Sequence, residues 1–584
     1  MKIMKQRVRA PAHWLAISWL VAFGCTKLED PNQWFGDVVG GSGGELSSDN
    51  AGLNDSGAGV GGVPASAGGS GGHAGASGGH ASAGAGSTGS IVPEGAAGEA
   101  GSGSLSCEDE NGFQGLGCYR CAPQEIVTLE NACTTATCTR FDDSKRLTLL
   151  GVDGKLPPLP APVVATGGAS AGGAGGMAGN GGAGGSGAGS GKFCSDLASH
   201  GTVVYITGSS AVSPFLQQIA QQLVAQNVYI VYQSTGSCAG VDALLNGTPM
   251  TTGATGSALT ATYWDAPGSP GVACELPTEG VTADIGASDV FAQSCPGFEL
   301  ANLDALQVRD AHGPIQTMTF VVPTSSTYWE ISAQAAYFAF GFGAAGGLRD
   351  PSGELPIWND ENYLFQRSAA SGTQALLAAA IGVPAGAWKG KLHKGSNDIA
   401  ASIQAAGQRP DTADAALGIL AADHVDTKNL RAQIRMLAYQ DTAQHCAVFP
   451  DSTSTAHDKR NVRDGHYPLW GPLHLLLRVD GQGRPLKAES RQAVTDIIGY
   501  LSGTKALPNK VQLIDLYAQS GLVPECAMRV TRSKDGGNLF PYQSTNPCSC
   551  LFDVKAVGST SCTECKVQGD CASGETCSQG YCER

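Results

Sequence analysis

Charge is scarce in this chain. Only 15% of its 584 residues are Asp, Glu, Lys or Arg, and acids outnumber bases 51 to 36, for a formal net charge of -15. No Lys/Arg-rich run follows Arg9. The basic face that displaces counterions from a duplex is therefore missing, which excludes nucleic acid as the expected partner. Long apolar runs are missing too: after the first 25 residues none is long enough to cross a bilayer as a helix. What the chain has in excess is glycine, 82 residues of it, and the excess is concentrated in two tracts.

The N-terminus reads as an export signal, residues 1–25. Lys2, Lys5, Arg7 and Arg9 form a positive start, and WLAISWLVAFG (Trp14–Gly24) is an apolar segment too short to remain as a spanning helix. Gly24-Cys25 resembles the end of a bacterial lipobox, although Ala22 and Phe23 replace the usual Leu and small residue. Cys25 is the expected lipidation point, which places the protein in the bacterial cell envelope, in the periplasm or at the outer membrane; plain secretion with cleavage nearby is the alternative. Of 19 cysteines, 18 remain after Cys25, an even number that suits as many as nine disulfides in an oxidising compartment.

Composition divides the rest. Residues 26–104 are rich in Gly, Ala and Ser and hold too few large apolar groups to offset the entropy of ordering, so a disordered tether is expected. At about 65 residues its low-complexity part would reach roughly 45 Å. A small Cys-rich module follows at 105–165, with Cys107, Cys118, Cys121, Cys133 and Cys138; five is odd, and Cys194 is a candidate outside partner. A second glycine-rich linker covers 166–192, the main domain 193–525, and a C-terminal Cys-rich module 526–584. CYRC (Cys118–Cys121) and CTEC (Cys562–Cys565) have the form of zinc half-sites, but neither has a second CxxC at zinc-finger spacing, so structural disulfides are expected and no metal or cofactor.

The main domain reads as α/β. VVYI (Val203–Ile206), VYIVY (Val228–Tyr232), TMTFVVP (Thr317–Pro323) and LHLLLRV (Leu473–Val479) are short apolar runs suited to buried strands. PFLQQIAQQLVA and RQAVTDIIGYLSG carry apolar residues at helical spacing. Strands alternating with helices imply an open, mostly parallel or mixed sheet with ligands at the strands' carboxyl ends.

Four short motifs lie at strand-to-helix turns: GSSAVSP (Gly208–Pro214), GSCAG (Gly236–Gly240), ADIGASD (Ala283–Asp289) and RSAASGT (Arg367–Thr373). A helix N-terminus presents unpaired N–H donors and about half a positive charge, so such turns hold anions without a basic protein around them. Serine and threonine hydroxyls add donors, and one arginine adds a permanent bidentate charge. Singly each motif has a plainer explanation: an N-cap serine, a surface arginine, an aspartate in a turn. No GxSxG elbow, HExxH pair or dense Asp/His cluster lies near these turns. His445, His457 and His466 are scattered through 444–468, where solvated or capping roles are expected.

In their order and internal spacing, the four motifs together resemble the periplasmic phosphate-binding proteins that feed phosphate ABC transporters. The resemblance covers roughly Gly201 to Val523 and implies a two-lobed periplasmic-binding-protein-like fold, with lobe I about 199–318 and 470–525, lobe II about 319–469, and hinge crossings near 317–323 and 466–474. It implies that Ser210 and the Ala211 backbone, Ser237, Asp289, Arg367, Ser371, Gly372 and Thr373 hold phosphate or a similar tetrahedral oxyanion. Asp289 would accept a proton that phosphate carries and sulfate lacks, and so select phosphate. The chain departs from the family at Ala369, where an acidic residue commonly orients the arginine, at Ala211-Val212, and at Cys238, which has Cys274 and Cys295 as candidate partners.

The expected function is thus oxyanion binding, for uptake through an inner-membrane ABC permease or for scavenging or sensing at a surface. A non-transport adhesion or display protein on the same scaffold is the alternative, and an exported hydrolase a more distant one.

Overall fold

The structure, a computed structural model, describes residues 109–110, 118–120, 126–161, 192–252 and 260–583. Cys25, Cys107, Cys121 and the two glycine-rich tracts lie outside the described residues. The fold is α/β, built on an eleven-stranded mixed sheet. In chain order its strands are β1 (Thr202–Gly208), β2 (Val228–Ser234), β3 (Ala261–Tyr263), β4 (Val272–Cys274), β5 (Ile285–Ser288), β6 (Val308–Pro323), β7 (Leu364–Gln366), β8 (Lys391–Leu392), β9 (Leu417–Ala421), β10 (Ile434–Met436) and β11 (Trp470–Arg478). They are arranged β8-β7-β9-β6-β11-β5-β1-β2-β3-β4, with β10 also on β6.

The apolar runs become strands for the expected reason. Val204 and Ile206 in β1 and Leu475 and Leu477 in β11 are at most 1% exposed, and each such side chain contributes roughly 1.5–3 kcal/mol by leaving water. Helices α1 (Ser213–Leu223) and α2 (Ser237–Leu245) follow β1 and β2; α3 (Ala333–Phe342), α4 (Gly372–Ile381) and α5 (Ser396–Ala406) belong to the second half, as does the short α6 (Ala422–Thr427). Late helices α7 (Arg491–Leu501) and α8 (Leu513–Gln519) return to the first half, where Ile497, Leu501 and Leu516 join Val204 and Phe215 in one core.

The two halves share a strand. Residues 308–317 of β6 pair with β11, whereas Met318–Val321 pair with β9 and Val321–Pro323 with β10. Both β9 and β11 run antiparallel to β6, so the sheet is mixed and not mostly parallel.

The two flanking segments pack on the main domain. Arg146, 2% exposed, pairs with Glu330 at 2.7 Å and lies over the Phe141 ring. The Cys138–Cys446 disulfide ties the same segment to the second half. The outside partner is therefore Cys446; Cys194 bonds Cys274 instead, and Cys238 takes Cys295. His466 is not a solvated loop histidine: it is 5% exposed, with Nε2 3.0 Å from the Ala132 carbonyl. Eight disulfides join described residues, including Cys550–Cys562, Cys565–Cys577 and Cys571–Cys582 in the tail. Before these, Arg532 is buried with its guanidinium on the carbonyls of Pro468 (2.8 Å) and Trp470 (3.0 Å), and helix α9 (Ser549–Val557) is held by Asp553 on Arg463.

Candidate functional site

The first half of the site is a cluster at the carboxyl ends of β1, β2 and β5. Gly236 at φ 101° turns the chain into α2 and places Ser237, 1% exposed, as the first helical residue. The Ser237 hydroxyl donates to Asp289 Oδ2 at 3.1 Å and accepts the Asp289 N–H at 3.3 Å. Close packing makes this possible. A Cβ on Gly240 would stand 2.6 Å from the Ala287 carbonyl oxygen, and one on Gly286 would stand 2.3 Å from that of Gly240. Only glycines let α2 lie this near β5. The Cys238–Cys295 bridge then clamps the helix start to the segment after Asp289, a constraint worth about 4 kcal/mol on loop-closure entropy.

Asp289 is buried, its Oδ1 has no hydrogen-bond partner, and burial pushes its carboxyl up to about 6. The Ser209 and Ser237 hydroxyls, then the charges of Arg367 and His474, pull the other way without overcoming burial. At the first turn the structure places the other serine inward. Ser209 is 1% exposed and lies against Asp289, while the Ser210 side chain faces solvent. The Ala211 N–H donates to the Ser209 hydroxyl at 3.1 Å and is occupied by this cap, and the Tyr232 hydroxyl holds the Ser209 carbonyl.

The second half contributes RSAASGT. Ser371 is the N-cap position of α4 but its side chain makes no capping bond, so the N–H groups of the first turn keep their donors. Ser371 and Thr373 are 5% and 6% exposed. Gly372 meets the first half directly: a Cβ there would stand 2.3 Å from Ser237 Oγ and 2.9 Å from Asp289 Oδ2. The Cys238 N–H also crosses, donating to the Ala370 carbonyl at 3.2 Å. One donor at the α2 N-terminus is thereby taken by protein.

Arg367 lacks the acidic neighbour at 369 and is held differently. Its Nη1 donates to Ser396 Oγ at 2.8 Å, its N–H donates to the buried Gln374 side chain at 3.1 Å, and Asp398 supports its charge from α5. Nε is buried and unpartnered. Burial lowers the guanidinium's pKa, and the charge of Asp289 opposes this. Yet no ion pair joins Asp289 to Arg367: their charges act across a gap, with an unsatisfied oxygen on one side, an unsatisfied N–H on the other and the start of α4 beside it.

Sequence reading missed three neighbours besides Ser209. Asp423, at the start of α6, is 5% exposed and accepts from Gln316 Nε2 at 3.2 Å; burial and then the charge of Asp289 push it up to about 7. Ser396 belongs to no motif. Asp535, in the tail, accepts the Phe291 N–H at 2.9 Å and the Ser294 hydroxyl at 2.7 Å, and the adjoining Gly536 packs so closely on α4 that a Cβ would lie 2.8 Å from the Ala379 carbonyl. Nothing in the tail's cysteine-dominated composition signalled this; for Ser209, burial alone distinguishes it from its neighbour.

No family model matches the chain, and no curated protein matches it. Solved structures do. A Clostridium perfringens protein with bound phosphate is 13% identical over 55% of this chain and 99% of its own, with a TM-score of 0.35. An ABC-type phosphate transport receptor from Vibrio cholerae is 13% identical over 55% and 100% (TM-score 0.33), and a phosphate-binding protein from Stenotrophomonas maltophilia is 14% identical over 55% and 90% (TM-score 0.33).

Proposed function

We propose that the protein binds a protonated tetrahedral oxyanion, phosphate, between Asp289 and Arg367. The carrying observation is the pair of opposed, buried and unpartnered groups at the junction of the two halves, Asp289 Oδ1 and Arg367 Nε, set beside the uncapped first turn of α4. An anion there satisfies both: its oxygens accept from Arg367 and the helix N–H groups, and its proton is shared with Asp289. Dipoles and one local charge outweigh a distant, screened net charge. Ser237 donates to a carboxylate and not to a histidine base, so no nucleophile is activated and binding is the reading, not catalysis.

Export with a lipid on Cys25 would place this binder in the cell envelope, to hand phosphate to an inner-membrane ABC permease or to scavenge or sense it. A display scaffold is the second reading, favoured by the tail, which touches both halves through Asp535 and Gly536. Titration calorimetry of the full exported chain separates them. Phosphate should bind with little response to sulfate; no heat with either anion leaves the display reading. Asp289→Asn should narrow the phosphate-to-sulfate ratio by about tenfold or more while sparing part of the affinity, because a buried unpaired like-charge contact is worth roughly 1–3 kcal/mol. An unchanged ratio removes the selecting role of Asp289.

A further inference from the structure

A second constellation stands on the paired strands β6 and β11, and none of its side chains is among those proposed to hold the anion. His474 lies directly opposite His312 in the register, and Asp310 is two residues further along β6 on the same face. The register slips between Pro472 and His474, an irregularity of the kind that re-aims side chains. Both imidazoles converge on one carboxylate oxygen: His474 Nδ1 is 2.7 Å and His312 Nε2 3.9 Å from Asp310 Oδ2. Potential ligand atoms of all three residues lie within 4.8 Å of one another. The rings meet edge-on with centroids 5.0 Å apart, and Phe291 covers His474 at 4.3 Å.

A simple buried His–Asp hydrogen bond accounts for only part of this. It gives no reason for a second imidazole at the same oxygen. Two nitrogens and one carboxylate oxygen are a donor set for zinc-class ions, whose bonds of about 2.0–2.2 Å put tetrahedral ligand atoms about 3.3 Å apart. The observed 2.7 and 3.9 Å straddle that spacing. The His474 side chain is 0% exposed, that of Asp310 17% and that of His312 38%, so the cluster opens to solvent on one side. Cys565, Cys571 and Cys582 also converge, but each is consumed in a disulfide and offers no thiolate.

We propose that Asp310, His312 and His474 form a divalent-metal site of the zinc class with a fourth position open to solvent. The site stands whatever binds at Asp289. The test uses the full exported chain without an affinity tag, stripped with chelator, its disulfides intact. Zinc calorimetry should give one equivalent at this site, and cobalt(II) should give visible absorption of an imidazole/carboxylate complex. His312→Ala and Asp310→Asn should each weaken binding on the order of tenfold or more, the size of effect that supporting residues alone produce in metal sites. In the unaltered chain, saturating zinc should also protect His312 from acylation by diethylpyrocarbonate, read by peptide mass. Absence of zinc binding, or affinity unchanged in both variants, overturns the proposal, as does a His312 that zinc leaves unprotected.

Discussion

On one side of the proposed oxyanion site Ser209, Ser237 and Asp289 lean on one another, while on the other Arg367 and the first turn of α4 keep donors in reserve. The first side is held by a disulfide and by glycine-tight packing of α2 on β5; the second is held by single hydrogen bonds, Arg367 on Ser396 and on Gln374. Arg367 belongs to the loosely tied side and Asp289 to the rigid one. On the proposed reading the contrast would divide the tasks: the rigid side would select the anion, through one carboxylate and its proton, and the other side would supply the attraction.

The comparison breaks most readily at Arg367. Replacing it with Ala should cost phosphate roughly 2–5 kcal/mol, measured by calorimetry, because it leaves a buried carboxylate and an anion without their cation. A loss no larger than that of Asp289→Asn would mean that attraction is spread over both sides. The next effect is on stability. The folded pKa values of Asp289 (about 6) and Asp423 (about 7) stand above the unfolded carboxylate value. The folded state therefore binds more protons than the unfolded one between about pH 4 and 7, and the ligand-free protein should lose stability as pH rises through that window, by at most about 3 kcal/mol for Asp289. Thermal unfolding at pH 4.5, 5.5 and 6.5 should show the fall, and Asp289→Asn should flatten it; a parallel decline in the variant would assign the window to Asp423 alone. The smallest effect sharpens the inward face of the first turn. Ser209→Ala removes a cap and a hydroxyl against Asp289 and should cost about 1 kcal/mol, whereas Ser210→Ala should stay within about 0.5 kcal/mol in chemical denaturation. Equal costs would return Ser210 to the site.

Much of this arrangement was legible because it is local. The runs at 203–206 and 228–232 are buried strands, and GSCAG and RSAASGT open α2 and α4 where their small residues indicated. What escaped depends on contacts distant in sequence. Which of Ser209 and Ser210 faces inward is settled by Tyr232 and Asp289, more than 20 residues away. The support for Arg367 comes from Ser396, 29 residues downstream, and not from position 369. Cys138 finds Cys446 across 308 residues, a pairing that cysteine counting leaves open. The antiparallel course of β6 and β11 was equally hidden, since an apolar run carries no sign of its direction.

The tail contact at Asp535 and Gly536 bears on time more than on affinity. It reaches the residues just beyond Asp289 and the body of α4 together, so any parting of the two halves must first break the bonds to Phe291 and Ser294 or lift Gly536 from Ala379. If the proposed anion binds beneath this contact, it would leave only as often as the contact opens, and occupancy would then follow the average supply over a long interval instead of its momentary level. Asp535→Ala should shorten the residence of labelled phosphate in a chase experiment while shifting the equilibrium constant less; an unchanged release rate would show that the tail travels with one half. A long residence time, if the chase finds one, would make the proposed binder a low-pass filter, suited to registering sustained abundance and poorly suited to rapid delivery.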